Sequence, residues 1–394
     1  MKFFILGGGG IQGAASAYDL IRMQPDARVL LGELDMHQLD PVLKWLDSDR
    51  VEGREVDAQD IDGLARVIRD EGCDGVISSV PWPVSIPPLE AAIQAGVDFI
   101  DYGLYQNREF DARMPEFDAR AKEAGVTVIP SCGVAPGMTN MLAAYGATNF
   151  DRVDKIHIYV GGIPEHPEPP LQYKAVWSLE GVWTQFFEQA RTVRNGKLVE
   201  VEAGSGLEEL EFCETGPVEA AYTDGLGTLN QMYTHPVFEG VSEVFEKTIR
   251  HKGHYEKVMF LKDCGLLDTE PIAVNGSEIA PRRFLTTLLG PKMKMSEGER
   301  DMTVLRVRVS GSRSGIAGEC MYDMLDYKDL EAGVLSMGRT TGYTGAILAP
   351  MVASDRIDAA GLVEPEKLGA DRGLFEEILG EYARRNIEIS KSED

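Results

Sequence analysis

The residues best placed for chemistry stand at the start of the chain. Gly8, Gly10 and Gly13 form a G-x-G-x-x-G register within the run Gly7–Gly10, directly after the apolar Phe3-Phe4-Ile5-Leu6. In this spacing Gly8 is expected to make the tight turn, Gly10 to let backbone approach a pyrophosphate, and Gly13 to let a helix pack against its strand. Ile11 and Gln12 then open that helix, whose free N–H groups and positive dipole end face the phosphates. Glu33 closes the next apolar run, Arg28 to Gly32, about 20 residues beyond Gly13. A carboxylate there accepts hydrogen bonds from the adenosine ribose diol and repels a 2′-phosphate, and no arginine directly follows it. The expected cofactor is therefore NAD, with NADP disfavoured. Asp35 competes with Glu33 for the role.

Three later loops follow short apolar runs and should face the nicotinamide half of such a cofactor, because ligands of open parallel sheets bind beyond the strands' carboxyl ends. Ser79 and Pro81 follow Gly75–Val80, Asp101 and Tyr102 end Val97–Gly103, and Cys132, Gly133 and Pro136 follow Val126–Pro130. Hydride transfer to a nicotinamide needs no nucleophile, so Cys132 is expected as a pocket wall rather than a reacting thiol.

The elements that must hold these loops alternate strand and helix. Pro41–Asp47, Asp60–Asp70, Pro87–Ala95 and Phe117–Glu123 read as helices between the strand-like runs. That alternation predicts an α/β fold, a Rossmann-type doubly wound parallel sheet. The pattern changes near residue 150. Leu305, Val307 and Val309 alternate with arginines, as in a sheet with one solvated face, and Cys320–Tyr327 reads as the partner strand. Ser178 is expected to cap a helix reaching Phe186 and Phe187, and Pro281 to open another to Leu289. The expected division is a dinucleotide-binding domain over 1–135, an inserted α+β substrate domain over 136–334, and helices over 335–394, from Arg339 and from Phe375, returning to cover the first domain.

The chain has 394 residues, 43% of them hydrophobic and 26% charged, enough for a sizeable core in two or three domains. A net charge of −25 opposes binding to nucleic acid or an anionic membrane surface. No apolar run approaches the ~18 residues that span a bilayer. Five cysteines without C-x-x-C, and six scattered histidines without H-E-x-x-H, suggest reduced thiols in a cytoplasm and no metal site.

Four stretches resemble the saccharopine dehydrogenase family, most closely its lysine 6-dehydrogenase branch: Gly133–Met138, Gly161–Tyr173, Lys247–His254 and Arg339–Thr344. They occur in the family's order and span most of the chain; Gly7 and Gly9 are additional to its glycine pattern. The resemblance implies a Rossmann domain with an inserted substrate domain, a homodimer, and an oxidoreductase that moves a hydride between an amino acid's amine-bearing carbon and the nicotinamide. For a lysine substrate the product is 2-aminoadipate 6-semialdehyde, which cyclises. The alternative within the family is reductive condensation, as for saccharopine or carboxynorspermidine. A dinucleotide-binding sensor without turnover is the alternative of another class, since fold alone does not give function.

In that setting Arg250 is expected to bind the substrate carboxylate bidentately. Asp101 is expected to hold the amine, and Ser79, Cys132 and Tyr173 to line the pocket. The proton acceptor stays open among His254, Lys174, His251, Glu180 and a bound water. Trp177, Trp183 and Phe186 are expected in the core.

Overall fold

The computed structural model describes residues 1–393 apart from 105, 106, 188, 213 and 297. Cys213 thus lies outside the described residues. The first half alternates β1 (Lys2–Leu6), α1 (Ile11–Met23), β2 (Arg28–Glu33), α2 (Met36–Leu46), β3 (Val51–Glu55), α3 (Ile61–Asp70), β4 (Gly75–Ser78), α4 (Ile86–Ala95), β5 (Asp98–Asp101), α5 (Arg108–Ala124) and β6 (Thr127–Ile129). Phe3 to Leu6 are buried, as an apolar strand covered on both faces by helices must be.

Then come α6 (Met138–Ala147), β7 (Arg152–Pro164), α7 (Leu179–Thr184), β8 (Ala190–Arg194), β9 (Lys197–Val201), β10 (Glu208–Phe212), β11 (Gly216–Tyr222) and α8 (Leu229–Met232). They are followed by β12 (Glu243–His251), α9 (His254–Asp263), the hairpin β13 (Ile272–Val274) and β14 (Ser277–Ile279), α10 (Pro281–Met293), β15 (Asp301–Arg313) and β16 (Ile316–Tyr327). The chain closes with α11 (Ser336–Ala353), β17 (Gly361–Leu362), α12 (Pro365–Ala370), α13 (Arg372–Arg384) and β18 (Ile389–Glu393).

The first sheet runs β17-β6-β5-β4-β1-β2-β3, all parallel. Its order reverses between β1 and β4, and a crevice opens at that switch beyond their carboxyl ends. Ser79, just past β4, donates its N–H to Leu6 O at 2.9 Å and fixes the crevice floor. The second sheet runs β10-β11-β12-β7-β15-β16-β18, with β8 and β9 attached through β12. β15 and β16 pair antiparallel from Met302↔Tyr327 to Arg313↔Ile316, in the period-two pattern that their sequence suggests.

The closing segment divides itself between the sheets. α11 crosses α1 where Gly338 and Gly342 meet Ile11, Gln12 and Ala15, and β17 extends the first sheet. β18 instead edges the second sheet along β16.

Three helices differ from their sequence reading. α2 and α5 start earlier than expected, at Met36 and Arg108, and carry Pro41 and Pro115 in their interiors. An interior proline forfeits one backbone bond. Asp35 and Asn107 cap the two starts, and Phe110, Met114 and Phe117 anchor α5 in the core. α7 is capped by Ser178 but ends at Thr184, so Phe186 and Phe187 lie in the turn beyond it. Among the described residues no helix is long and apolar enough to cross a membrane.

Candidate active site

The glycine loop turns between β1 and α1. Gly7, not Gly8, holds the conformation that side chains resist: its φ is +74°, and an added Cβ would sit 2.8 Å from Ser79 O. The glycine additional to the expected pattern is therefore the one that makes the turn. Gly8 instead lies against Leu31. At Gly13 an added Cβ would sit 2.4 Å from Gly7 O, so only glycine lets helix and loop approach this closely. At Gly10 only Gly7 O lies within 4 Å of an added Cβ, which leaves room for a phosphate against the backbone. Gly10 is the N-cap of α1, no side chain caps that helix, and its first turn holds no acid. Its N–H groups are thus presented to an anion. Glu33 leans onto the loop, accepting from Gly9 N at 3.3 Å and Leu34 N at 3.1 Å. Asp35 is engaged elsewhere, accepting from His37 N at 2.9 Å to cap α2. These residues fit a dinucleotide: phosphates at Gly10–Gly13 and a ribose at Glu33.

From the loop a cleft of about 370 Å³ runs between the two sheets. One wall is Gln12, the Ser79–Pro83 loop, Tyr102, Gly103 and Gly133–Pro136; α11 adds Met337 and Thr341. The opposite wall comes from the second sheet: Val160–Gly162 of β7, Trp177 to Gln185 around α7, Thr223–Gly225 after β11, and Glu246, Thr248 and Arg250 of β12. Successive strand residues alternate faces, so Glu246, Thr248 and Arg250 point into the cleft together.

Among the described lining residues Arg250 is the one cation, against the carboxylates Glu180, Asp224 and Glu246. Its guanidinium is 2% exposed, lies over the Tyr173 ring at 4.9 Å, and donates to Ile249 O at 2.8 Å and Gln185 Oε1 at 3.0 Å. Its Nε–H is buried and finds no partner among the described residues. Asp224 is balanced by Arg191, whose Nε donates to it at 2.8 Å and which also pairs with Asp111.

The sequence matches the family model of the saccharopine dehydrogenase NADP binding domain over residues 3–129 and that of the saccharopine dehydrogenase C-terminal domain over residues 133–387. The chain belongs to the saccharopine dehydrogenase family. It is an oxidoreductase of amino-acid or amine substrates, and its first domain binds a pyridine nucleotide. It is 21% identical over 381 residues to the carboxyaminopropylagmatine dehydrogenase of a Synechocystis strain, covering 94% of this chain and 93% of that one. To the carboxynorspermidine synthase of Vibrio cholerae it is 24% identical over 354 residues, covering 82% and 80%. Its fold matches saccharopine dehydrogenase (L-Glu forming) from Saccharomyces cerevisiae with a TM-score of 0.79 at 20% identity, covering 100% and 99% of the two chains.

Within this family member, Gln12, Ser79, Pro81, Gly133, Pro136 and Arg250 meet at the cleft. Five expected site residues stand behind its described lining. Asp101 is fully buried, and its Oδ1 accepts from Gly103 N at 2.8 Å and Leu104 N at 2.6 Å, so the carboxyl caps a turn instead of meeting an amine. Burial pushes it up to about 7, against the pull of those N–H groups. Cys132 is buried beneath the loop, and burial raises its thiol. Tyr173 backs Arg250. Lys174 faces away, paired with Glu299 at 3.1 Å and Glu168 at 3.5 Å.

His254 is fully buried with Nδ1 against Leu171 O at 2.9 Å. Burial, helped by Arg250, pushes it down to about 3, too weak a base for proton abstraction near neutrality. His251 binds Pro164 O at 2.6 Å on the other face of β12. Of the proton-acceptor candidates Glu180 alone lines the cleft, 3.4 Å from Arg282.

Sequence reading overlooked Glu246, Thr223, Asp224 and Trp177 at the cleft. For Glu246 the signal was available: it sits two and four residues before Thr248 and Arg250, in phase with both.

Proposed function

We propose that the chain is an NAD-dependent amine dehydrogenase of the lysine 6-dehydrogenase type, oxidising the carbon that bears the side-chain amine of lysine. One observation carries this: among the described lining residues the cleft holds one guanidinium, that of Arg250, on the same wall as Glu180, Asp224 and Glu246. That charge pattern suits a substrate with one carboxylate and further cationic nitrogens. It disfavours saccharopine, whose three carboxylates would find one lining arginine, Arg250. Arg250 holds the carboxylate end, and the cleft walls hold the amine-bearing carbon beside the Ser79–Pro81 and Gly133–Pro136 loops. Bound NAD supplies the hydride acceptor. Holding the two reactants together supplies much of the rate, because the step becomes effectively intramolecular.

Carboxylated polyamines are the second reading. They too combine one carboxylate with several cationic nitrogens, and the names of the Synechocystis and Vibrio relatives favour them. Glu33 supports NAD; the matched family domain is described as NADP-binding, so the preference is to be measured.

The test follows absorbance of the reduced nicotinamide with lysine, carboxynorspermidine and saccharopine in turn, with NAD and with NADP. Turnover of lysine with NAD is expected, and little with saccharopine. Preference for saccharopine would overturn the charge argument, and turnover of carboxynorspermidine alone would select the second reading. Light scattering on the purified chain measures the homodimer proposed with this reading.

A further inference from the structure

Glu246 is 2% exposed yet lines the cleft. Two hydroxyls grip its carboxyl: Thr223 Oγ1 donates to Oε2 at 2.6 Å and Thr248 Oγ1 to Oε1 at 3.1 Å. Both threonines also line the cleft, and their oxygens lie 2.6 Å apart, so with the carboxylate charged their two protons serve two of these three contacts at a time. The grip draws the carboxyl toward Thr248, midway along β12 between Glu246 and Arg250. Two strand residues span about 7 Å, comparable to the reach from a lysine's carboxylate to its side-chain nitrogen.

Other charged and titratable groups face this carboxyl from three directions. Arg250 acts from the same strand, Asp224, paired with Arg191, from the segment after β11, and Tyr255 from α9, its hydroxyl donating to Thr248 O at 2.6 Å. Arg250 and the threonine bonds favour the charged carboxylate, while Asp224 disfavours it. Burial outweighs them and pushes Glu246 up to about 8, near the pH where a proton acceptor works best.

We propose that Glu246 is the proton acceptor of the reaction: its carboxylate takes one proton from the substrate ammonium. This rests on the function proposed above. The deprotonated amine keeps a lone pair that forms the C=N bond as the C–H bond breaks, its electron pair leaving with hydrogen as hydride for NAD. The amine is oxidised to an iminium and NAD is reduced; water then adds to the iminium carbon, and the C–N bond breaks to leave the aldehyde and ammonium. Glu246 returns its proton to solvent. In the reducing direction the same carboxyl protonates the product amine.

The full-length protein and its Glu246→Gln variant test this with lysine and NAD. The wild type should show a kcat that falls toward acid as Glu246 protonates. Glu246→Gln should lose about 10²–10⁴-fold in kcat, lose that acid limb, and keep its dinucleotide affinity. Thr223→Val, which removes a bond to the charged carboxylate, should move the limb to higher pH. Glu246→Asp should keep the limb at reduced kcat, and stands in if the glutamine variant does not fold.

A readout independent of turnover is calorimetry of lysine binding to the NADH-loaded protein in buffers of different ionisation enthalpy. The wild type should release a proton near neutrality and Glu246→Gln should not. If the wild type turns lysine over and Glu246→Gln keeps both its kcat and its acid limb, the assignment falls while the proposed function stands. If the wild type turns over neither lysine nor carboxynorspermidine, the function falls and the assignment with it.

Discussion

Glu33 and Asp35 stand two positions apart and are committed to different tasks. Asp35 takes the His37 N–H and fastens the start of α2; Glu33 bends back to the Gly9 N–H of the glycine loop. Hydrogen bonds to a charged group contribute about 1.5–3 kcal/mol. Glu33→Ala should therefore lower the ratio of kcat/KM for NAD over NADP by about 10–100-fold, while Asp35→Ala leaves it unchanged and costs about 1 kcal/mol of helix stability. Equal ratios in Glu33→Ala and wild type would move the selectivity elsewhere. The same scale shows what a sequence can and cannot disclose about a site. Spacing pointed to the glycine turn and to Arg250, and the structure places the first at the start of α1 and the second in the cleft wall. Spacing did not reveal where a strand-end side chain turns. Asp101 has the right position, yet two turn N–H groups draw its carboxyl inward. His254 has the right chemistry, yet burial removes its basicity.

At the scale of elements, short apolar runs alternating with helices made the parallel sheet legible and period-two hydrophobicity the β15–β16 pair, whereas prolines obscured the starts of α2 and α5, where capping and core contacts outweigh one missing bond. Also hidden were the buried acids that join elements. Glu366 of α12 accepts from Asn140 Nδ2 of α6 at 2.7 Å and from Thr228 Oγ1, ahead of α8, at 2.8 Å. Burial pushes it from 4.5 up to about 7, against those two hydrogen bonds. Burial likewise raises Asp301, whose oxygens accept the Ser336 and Met337 N–H groups at the start of α11, to about 6. A folded-state value above the unfolded one means that the native state binds the proton more tightly. The resulting stability is complete below the unfolded value and is lost as pH rises through the folded one. The melting temperature of the cofactor-free protein should therefore fall between about pH 5 and about pH 8. Glu366→Gln, which cannot ionise, should flatten that decline. A decline as steep as the wild type's would mean that Glu366 does not titrate in this range.

Across the whole molecule, the cofactor cradle is tied to the second sheet by a relay of buried ion pairs. Asp326 of β16 pairs with Arg339 of α11 at 3.1 Å, Arg339 donates to the Arg385 carbonyl at 3.0 Å, and Arg385 grips Asp19 of α1 at 2.8 Å with both side chains 2–3% exposed. Arg385 and Asp19 lie 366 residues apart, so a late segment of the chain locks the helix that begins at the glycine loop. Such a pair adds little over a well-packed apolar contact, but removing one partner strands the other. Arg385→Met should cost about 3–5 kcal/mol by leaving the Asp19 carboxylate buried without its cation. Burial already holds Asp19 above its ordinary range despite Arg385, so the stranded carboxyl should take up a proton, and the variant should recover part of its melting temperature toward acid. Asp19→Leu combined with Arg385→Met should regain most of the loss, because neither charge then remains. If the relay also positions α1, Arg385→Met should weaken dinucleotide binding and the double variant should restore it. A single variant that melts and binds like the wild type would show that the two sheets hold the cradle without this tie.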